Sequence, residues 1–249
     1  MTWNTHDGKV AVVTGAGRGI GQAIAAGLAQ RGARVMVVDK DDPTDTVEAI
    51  RGDGGTAESY IADVADEAQV AELADTVAGE HGGADILVNN AGIYPFVPID
   101  DLDYATWRNV LAVNLDSQFL LARAFLPQLR TSGSGRIVNM TSNSIGLAVP
   151  HLTHYMASKM GVIGFTRALA NDVAADGITV NAVGPTLSLT PGVRAAVPEE
   201  LVRNLSNSQA IKKPGEATDV VGTVLFLTSA DSYFVTGQTI MSDGGLIRL

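Results

Sequence analysis

Gly15-Ala16-Gly17-Arg18-Gly19-Ile20-Gly21 lies between an apolar run ending at Thr14 and a stretch whose apolar residues, Ile24, Ala25, Leu28 and Ala29, recur at helical spacing. A strand that becomes a helix through so many glycines leaves few architectures open. The glycines permit a tight turn. They also let a pyrophosphate come close to the helix start, where unpaired N–H groups attract anions. Gly15, Gly19 and Gly21 form G-x-x-x-G-x-G rather than the commoner G-x-G-x-x-G, because Ile20 occupies that pattern's last position. The Gly-Lys-Ser/Thr ending of a mononucleotide P-loop is missing. A plain strand-to-helix turn is the rival reading.

The rest of the chain keeps the alternation that such a turn begins. Strands are expected at 9–14, 34–39, 56–61, 85–88, 136–140, 178–183 and 239–241. Helices are expected after the glycine loop and at 44–51, 67–80, 104–129, 153–174 and 217–228, with Pro127 bending or ending the long one. Strands that alternate with helices imply right-handed crossovers and a parallel sheet covered on both faces. The expected fold is therefore α/β, a single doubly wound Rossmann domain over residues 1–249. No repeat or linker divides it. The segment 186–213, rich in Pro, Ser, Asn and Leu, reads as a loop or helical flap within the domain, of the kind that covers a substrate.

Composition narrows the function classes. With 249 residues, 46% of them hydrophobic, the chain can bury a large core. It contains no cysteine, which excludes disulfides, thiolate metal sites and a cysteine nucleophile, and suits a reducing compartment. The net charge of −10 repels nucleic acid and anionic membranes, so neither is an expected partner. The start, Met1-Thr2-Trp3-Asn4-Thr5-His6-Asp7, is polar and carries no signal-peptide pattern, and no stretch is apolar for the length of a membrane span. The expectation is a cytoplasmic protein.

Tyr155 and Lys159 stand four residues apart and would share one helix face. A phenol has an ordinary pKa of about 10, and bringing it to about 7 takes about 4 kcal/mol. One ammonium about 4 Å away supplies roughly that at an effective dielectric of about 20. The pair suits a tuned acid/base; an ordinary surface pair is the bland alternative. Asp39 ends the second strand, about 20 residues past the loop, where a carboxylate can accept hydrogen bonds from the ribose hydroxyls of NAD. It also repels a 2′-phosphate by about 4 kcal/mol at 4 Å, more than the ~1 kcal/mol an exposed cation such as Arg18 or Lys40 recovers. NAD is the expected cofactor.

Together these residues resemble the classical short-chain dehydrogenase/reductases from end to end. Thr14 to Gly21 is similar to the family's cofactor loop, bringing in Gly15, Arg18, Gly19, Ile20 and Gly21. Asp63-Val64 is similar to its adenine-contacting pair, and Asn89-Asn90-Ala91-Gly92 to the segment beside the cofactor after the fourth strand. Asn114, Ser142, Tyr155 and Lys159 fall where the family carries its catalytic tetrad. Within the family, Ala91-Gly92-Ile93-Tyr94-Pro95, Thr153-His154-Tyr155 and Asp243-Gly244-Gly245 most resemble secondary-alcohol dehydrogenases of the 1-phenylethanol dehydrogenase kind.

The resemblance implies hydride transfer between a nicotinamide and a secondary alcohol or ketone. Tyr155 would be the general acid/base, with Lys159 holding its pKa down and binding ribose. Ser142 would hydrogen-bond the substrate oxygen; a strand-end cap is its alternative role. Asn114 would hold a water connecting Lys159 to solvent, or be a helix-kink residue that satisfies backbone groups. Pro185, Leu187 and Thr190 match the nicotinamide contacts, but Thr186 stands where the family usually carries glycine, and either narrows the pocket or is accommodated. Ile93, Tyr94, Ser144, Leu147, His151 and Thr186 are the expected pocket walls, suited to an uncharged, apolar or aromatic small-molecule ketone or alcohol. His151 and His154 find no third ligand at metal spacing, so no metal is expected and both read as surface or pocket residues.

The alternatives are a 3-oxoacyl-carrier-protein reductase and a non-catalytic dinucleotide-binding regulator. The family resemblance further implies a homotetramer. The apolar ending Leu246-Ile247-Arg248-Leu249 fits burial at an interface or against its own subunit.

Overall fold

A computed structural model describes residues 4–248. Met1, Thr2, Trp3 and Leu249 lie outside the described residues, as do the expectations placed on them. The strands are β1 (Val10–Thr14), β2 (Arg34–Asp39), β3 (Thr56–Ile61), β4 (Ile86–Asn89), β5 (Arg136–Met140), β6 (Thr179–Pro185) and β7 (Thr239–Ser242). They pair in parallel in the order β3-β2-β1-β4-β5-β6-β7. This is the doubly wound arrangement, and its strand order turns back between β1 and β4, beyond whose carboxyl ends sheets of this kind bind their ligands.

Successive side chains of a strand point to opposite faces, so two cores form. Val10 and Val12 of β1 and Met36 and Val38 of β2 join Leu73 and Val77 of α3 (Glu67–His81) and Leu121, Phe125 and Leu129 of α5 (Ser117–Ser132). On the other face, Ala11, Val13, Val35 and Val37 meet Ile24 and Leu28 of α1 (Gly19–Gln30), Val47 and Ile50 of α2 (Thr44–Gly52), and Val224 and Leu227 of α9 (Val221–Thr228). Burying each of these larger side chains contributes about 1.5–3 kcal/mol. Among the described residues no helix is long and apolar enough to cross a membrane.

The structure departs from the expected elements in the long helix. The helix expected over 104–129 is α4 (Tyr104–Leu111), one π-helical turn (Ala112–Asp116) and α5. Asp103 starts α4 by accepting the Thr106 N–H at 2.7 Å. Pro127 does not end α5, which continues to Ser132: it withholds one N–H, and tertiary packing of Phe125 and Leu129 holds the turns on either side. The flap contains two short helices, α7 (Pro191–Ala196) and α8 (Glu199–Ser208). α6 (Thr153–Asp172) lies against the π turn, and glycine at 161 leaves room for Leu115.

Candidate active site

The glycine loop leaves β1 and folds back over the end of β4. Gly15 and Gly19 have φ of +62° and +63°, a conformation side chains disfavour, and a Cβ at Gly21 would collide with the Gly15 carbonyl oxygen. Asn90 Nδ2 donates to Thr14 O at 2.9 Å and Gly15 O at 3.0 Å, while Thr14 Oγ1 accepts the Asn90 and Ala91 N–H groups. The motifs around residues 15 and 90 are thus two halves of one cradle. Arg18 makes no side-chain cap at the α1 N-terminus, and the first turn holds no acidic residue, which leaves the start of α1 able to receive an anion.

Asp39 stands at the rim of that cradle. Its Oδ2 accepts the Gly17 N–H at 2.9 Å and its Oδ1 the Asp41 N–H at 3.3 Å. Arg18, with its side chain 79% exposed, lies 3.8 Å from Asp41. Asp63 is exposed and turns its carboxylate to the Ala65 N–H, whereas Val64 is buried in the core. An adenine at this edge would therefore meet Asp63 more readily than the Val64 side chain. Leu187 and Thr190 follow β6, with the Thr190 methyl 3.1 Å from where a Cβ on Gly19 would stand.

Ser142, at the end of β5, caps a 3-10 turn by accepting the Ser144 N–H at 3.1 Å. It also lies close enough to Tyr155 to lower that phenol's pKa, so the capping and oxygen-site readings coexist in one side chain. Lys159 is 4% exposed, donates from Nζ to Met140 O at 2.8 Å, and lies 5.7 Å from the Tyr155 ring centre. Thr141 Oγ1 donates to Lys159 O at 2.8 Å and fastens α6 to β5. Asn114 does what a kink residue does: Oδ1 accepts the Ile93 N–H at 2.8 Å, and Nδ2 donates to Ile93 O at 2.9 Å and Ser158 Oγ at 3.1 Å. A Cβ on Gly92 would come 3.3 Å from Asn114 Oδ1 and 3.5 Å from Lys159 Nζ, which places Gly92 between them.

Burial raises the Tyr155 pKa above the ordinary phenol value, against the lowering effect of Ser142. Burial also lowers Lys159 to about 8. The charge argument from spacing omitted the cost of desolvating both groups.

Ile93 and Leu147 are half-buried, Tyr94 is exposed, and Tyr94 meets Tyr155 edge-on at 6.2 Å between ring centres. Ser144 Oγ and Asn143 Nδ2 are buried without a protein partner beside Ser142. His151 is exposed in a left-handed conformation, and its carbonyl accepts the Val97 N–H at 2.9 Å. His154 is fully buried with neither ring nitrogen bonded, so it is no surface residue. Thr186 does not point its hydroxyl into the pocket; it donates to Gln209. Sequence reasoning missed Gln209, and also Ser158 and Gln118, which donates to Asn114 O at 3.1 Å. Gln118 stands four residues after Asn114, a spacing that signals such a bond.

A parallel sheet with this strand order, a glycine cradle at its switch point and a Ser-Tyr-Lys group beside it define a single-domain Rossmann oxidoreductase that binds a nicotinamide dinucleotide. A family model described as enoyl-(acyl carrier protein) reductase matches residues 15–247. The chain is 37% identical to D-threitol dehydrogenase of Mycolicibacterium smegmatis, over 96% of this chain and 93% of that protein. It is also 37% identical to a 3-oxoacyl-[acyl-carrier-protein] reductase of Staphylococcus epidermidis, over 96% and 98%. A solved dehydrogenase structure from Beutenbergia cavernae, with NADP bound at low occupancy, superposes with a TM-score of 0.92 at 37% identity over 98% of both chains. The chain belongs to the classical short-chain dehydrogenase/reductases.

Proposed function

We propose that the protein interconverts a secondary alcohol and its ketone, with NAD(H) as cofactor and Tyr155 as general acid/base. The observation that carries this reading is the convergence of Ser142, Tyr155 and Lys159 beside the glycine cradle. The uncapped start of α1 fits a pyrophosphate, and Asp39 fits ribose hydroxyls. The bound nicotinamide would supply or accept the hydride.

In the direction of ketone reduction, Tyr155 enters as a neutral phenol, because burial raises its pKa. It donates its proton to the substrate oxygen while Ser142 hydrogen-bonds that oxygen as charge develops. In oxidation the same two groups act in reverse. Lys159, near half-protonated at about pH 8 and 5.7 Å from the Tyr155 ring centre, would exchange protons with Tyr155 and bind ribose hydroxyls. Asn114 holds the Ile93 backbone, and so the wall that begins at Ile93 and Tyr94.

NAD is favoured over NADP because Asp39 is held toward the cradle by the Gly17 N–H and Arg18 is drawn toward Asp41. Tyr94, Ile93 and Leu147 favour an apolar or aromatic substrate of the phenylethanol type. The similarity to the Staphylococcus epidermidis protein favours a second reading, reduction of a carrier-bound 3-oxoacyl group. We also propose a cytoplasmic location, and a homotetramer supported by the exposed Tyr233 and Phe234 ahead of β7 and checked by light scattering. The deciding experiment is a panel of aryl ketones, polyols, hydroxy acids and a carrier-bound 3-oxoacyl thioester, assayed in both directions with NAD(H) and NADP(H). Best turnover of an aryl ketone with NADH is expected. Preference for the thioester with NADPH would select the second reading, and tight NAD binding without any turnover would point to a regulator.

A further inference from the structure

The flap leaves the sheet after β6, forms α7 and α8, and returns before Ala217. Its two roots are joined. The Leu189 N–H donates to Gly215 O at 2.8 Å, and Ser188 and Gly215 form an isolated parallel bridge. Thr186 Oγ1 donates to Gln209 Oε1 at 3.0 Å; the two residues are 8% and 3% exposed. Gln209 Nε2 then donates to Ile211 O at 3.0 Å and Lys213 O at 2.7 Å. One amide thus accepts from the outgoing root and donates twice to the returning root.

Glycines make room for both side chains. A Cβ on Gly215 would collide with the Thr186 methyl, and a Cβ on Gly244 would stand 3.0 Å from Gln209 Nε2. Beyond the roots, the flap rests on the site at two points. The Thr190 methyl lies over Gly19 of the glycine loop, and a Cβ on Gly192 would come 3.9 Å from the Tyr94 hydroxyl. Tyr94 in turn meets the Tyr155 ring. The geometry of the roots therefore sets where the flap sits over the cradle and over the tyrosine pair.

We propose that Thr186 is a positioning residue whose hydroxyl, through Gln209, latches the two roots of the flap and fixes the wall that the flap presents to substrate. The last clause rests on the proposed reading of the site; the latch does not. Without the hydroxyl, Gln209 Oε1 is buried and unpaired, which costs more than loss of an exposed hydrogen bond. That cost falls on the latched form of the flap alone, so local opening becomes more frequent.

Arg194 and Arg203 are exposed within the flap and offer trypsin sites there. Native full-length protein is digested with trypsin, cuts are mapped by mass spectrometry, and KM and kcat are measured on the best ketone of the panel. Thr186→Val keeps the shape and removes the hydroxyl. It is expected to be cut within the flap, at Arg194, Arg203 or Lys212, about tenfold faster than wild type, with sites outside 186–215 unchanged, and to raise KM about tenfold with kcat within threefold. Thr186→Ser keeps the hydroxyl and is expected to restore the wild-type cutting rate. If Thr186→Val does not fold, Thr186→Ala gives the same readouts. Cutting of the hydroxyl-less variant at the wild-type rate overturns the latch. Faster cutting with an unchanged KM overturns the positioning role. Faster cutting in a protein that turns over no carbonyl supports the latch and overturns the proposed function alone.

Discussion

Lys159→Met should stabilise the protein at neutral pH while abolishing its activity. Burial lowers the Lys159 pKa from 10.5 to about 8. At about 1.4 kcal/mol for each pH unit, keeping the ammonium charged at pH 7 costs the fold roughly 3 kcal/mol. Methionine fills a similar volume without charge, but it removes the donor to Met140 O, a loss of about 1–2 kcal/mol. The expected net gain at pH 7 is about 1–2 kcal/mol. Its pH dependence identifies the cause. A base whose folded pKa lies below its unfolded value takes up more protons when unfolded, so wild-type stability rises between about pH 8 and 10.5. The advantage of the variant should shrink across that window. Urea unfolding followed by far-UV circular dichroism at pH 7, 8.5 and 9.5 measures it below the range where unfolded tyrosines ionise. A variant less stable than wild type at pH 7, or a difference that stays constant to pH 9.5, would refute the desolvation argument.

Tyr155→Phe should lower kcat by three orders of magnitude or more and leave NAD affinity within about threefold, as read by single-turnover kinetics and calorimetry; near-normal turnover would remove Tyr155 from the chemistry. Asp39→Asn should shift the ratio of catalytic efficiencies toward NADP by about tenfold or more, since it removes a carboxylate charge that would face a 2′-phosphate; an unchanged ratio would show that other groups set the preference. His6 is buried, bonded to Thr5 and Thr228, and lowered from 6.5 to about 4 by desolvation and then by Arg31. As pH falls below 6.5 the unfolded chain takes the proton first, so stability should drop by up to about 3 kcal/mol by pH 4, and His6→Gln should flatten that drop in chemical unfolding.

Much of this fold can be read from apolar runs and punctuation. The inner strands β2 and β5 are so largely buried that Arg34 to Asp39 or Arg136 to Met140 has no competing assignment, and Gly15 to Gly21 marks the cofactor cradle by itself. The break in the long helix was legible only in the alternative reading of Asn114 as a kink residue, because no residue from Ala112 to Asp116 by itself disfavours an α-helix strongly. The turn widens for a tertiary reason: Asn114 must face the Ile93 backbone while Leu115 packs at Gly161. Thr186 was visible as a departure from the family pattern. Its partner Gln209 was not, since 23 residues separate them and only the returning root brings them together.

The Tyr155–Lys159 pair shows where spacing arguments stop. Helical periodicity places the two side chains on one face, and the ring and ammonium are 5.7 Å apart. Periodicity carries no information about solvent. The attraction that would stabilise a phenolate grows as water leaves the site, but so does the cost of each charge, and here both groups shift toward their neutral forms. A buried phenol and a buried amine that both resist charge do not hold a standing ion pair; they hold a proton ready to move when positive charge arrives beside them. Asp39 is subject to the opposite condition. It keeps two backbone N–H donors at the rim and remains the ready acceptor there. The same cradle thus sets a carboxylate bonded to two backbone N–H donors at its rim and, within it, a phenol and an amine that burial shifts toward their neutral forms.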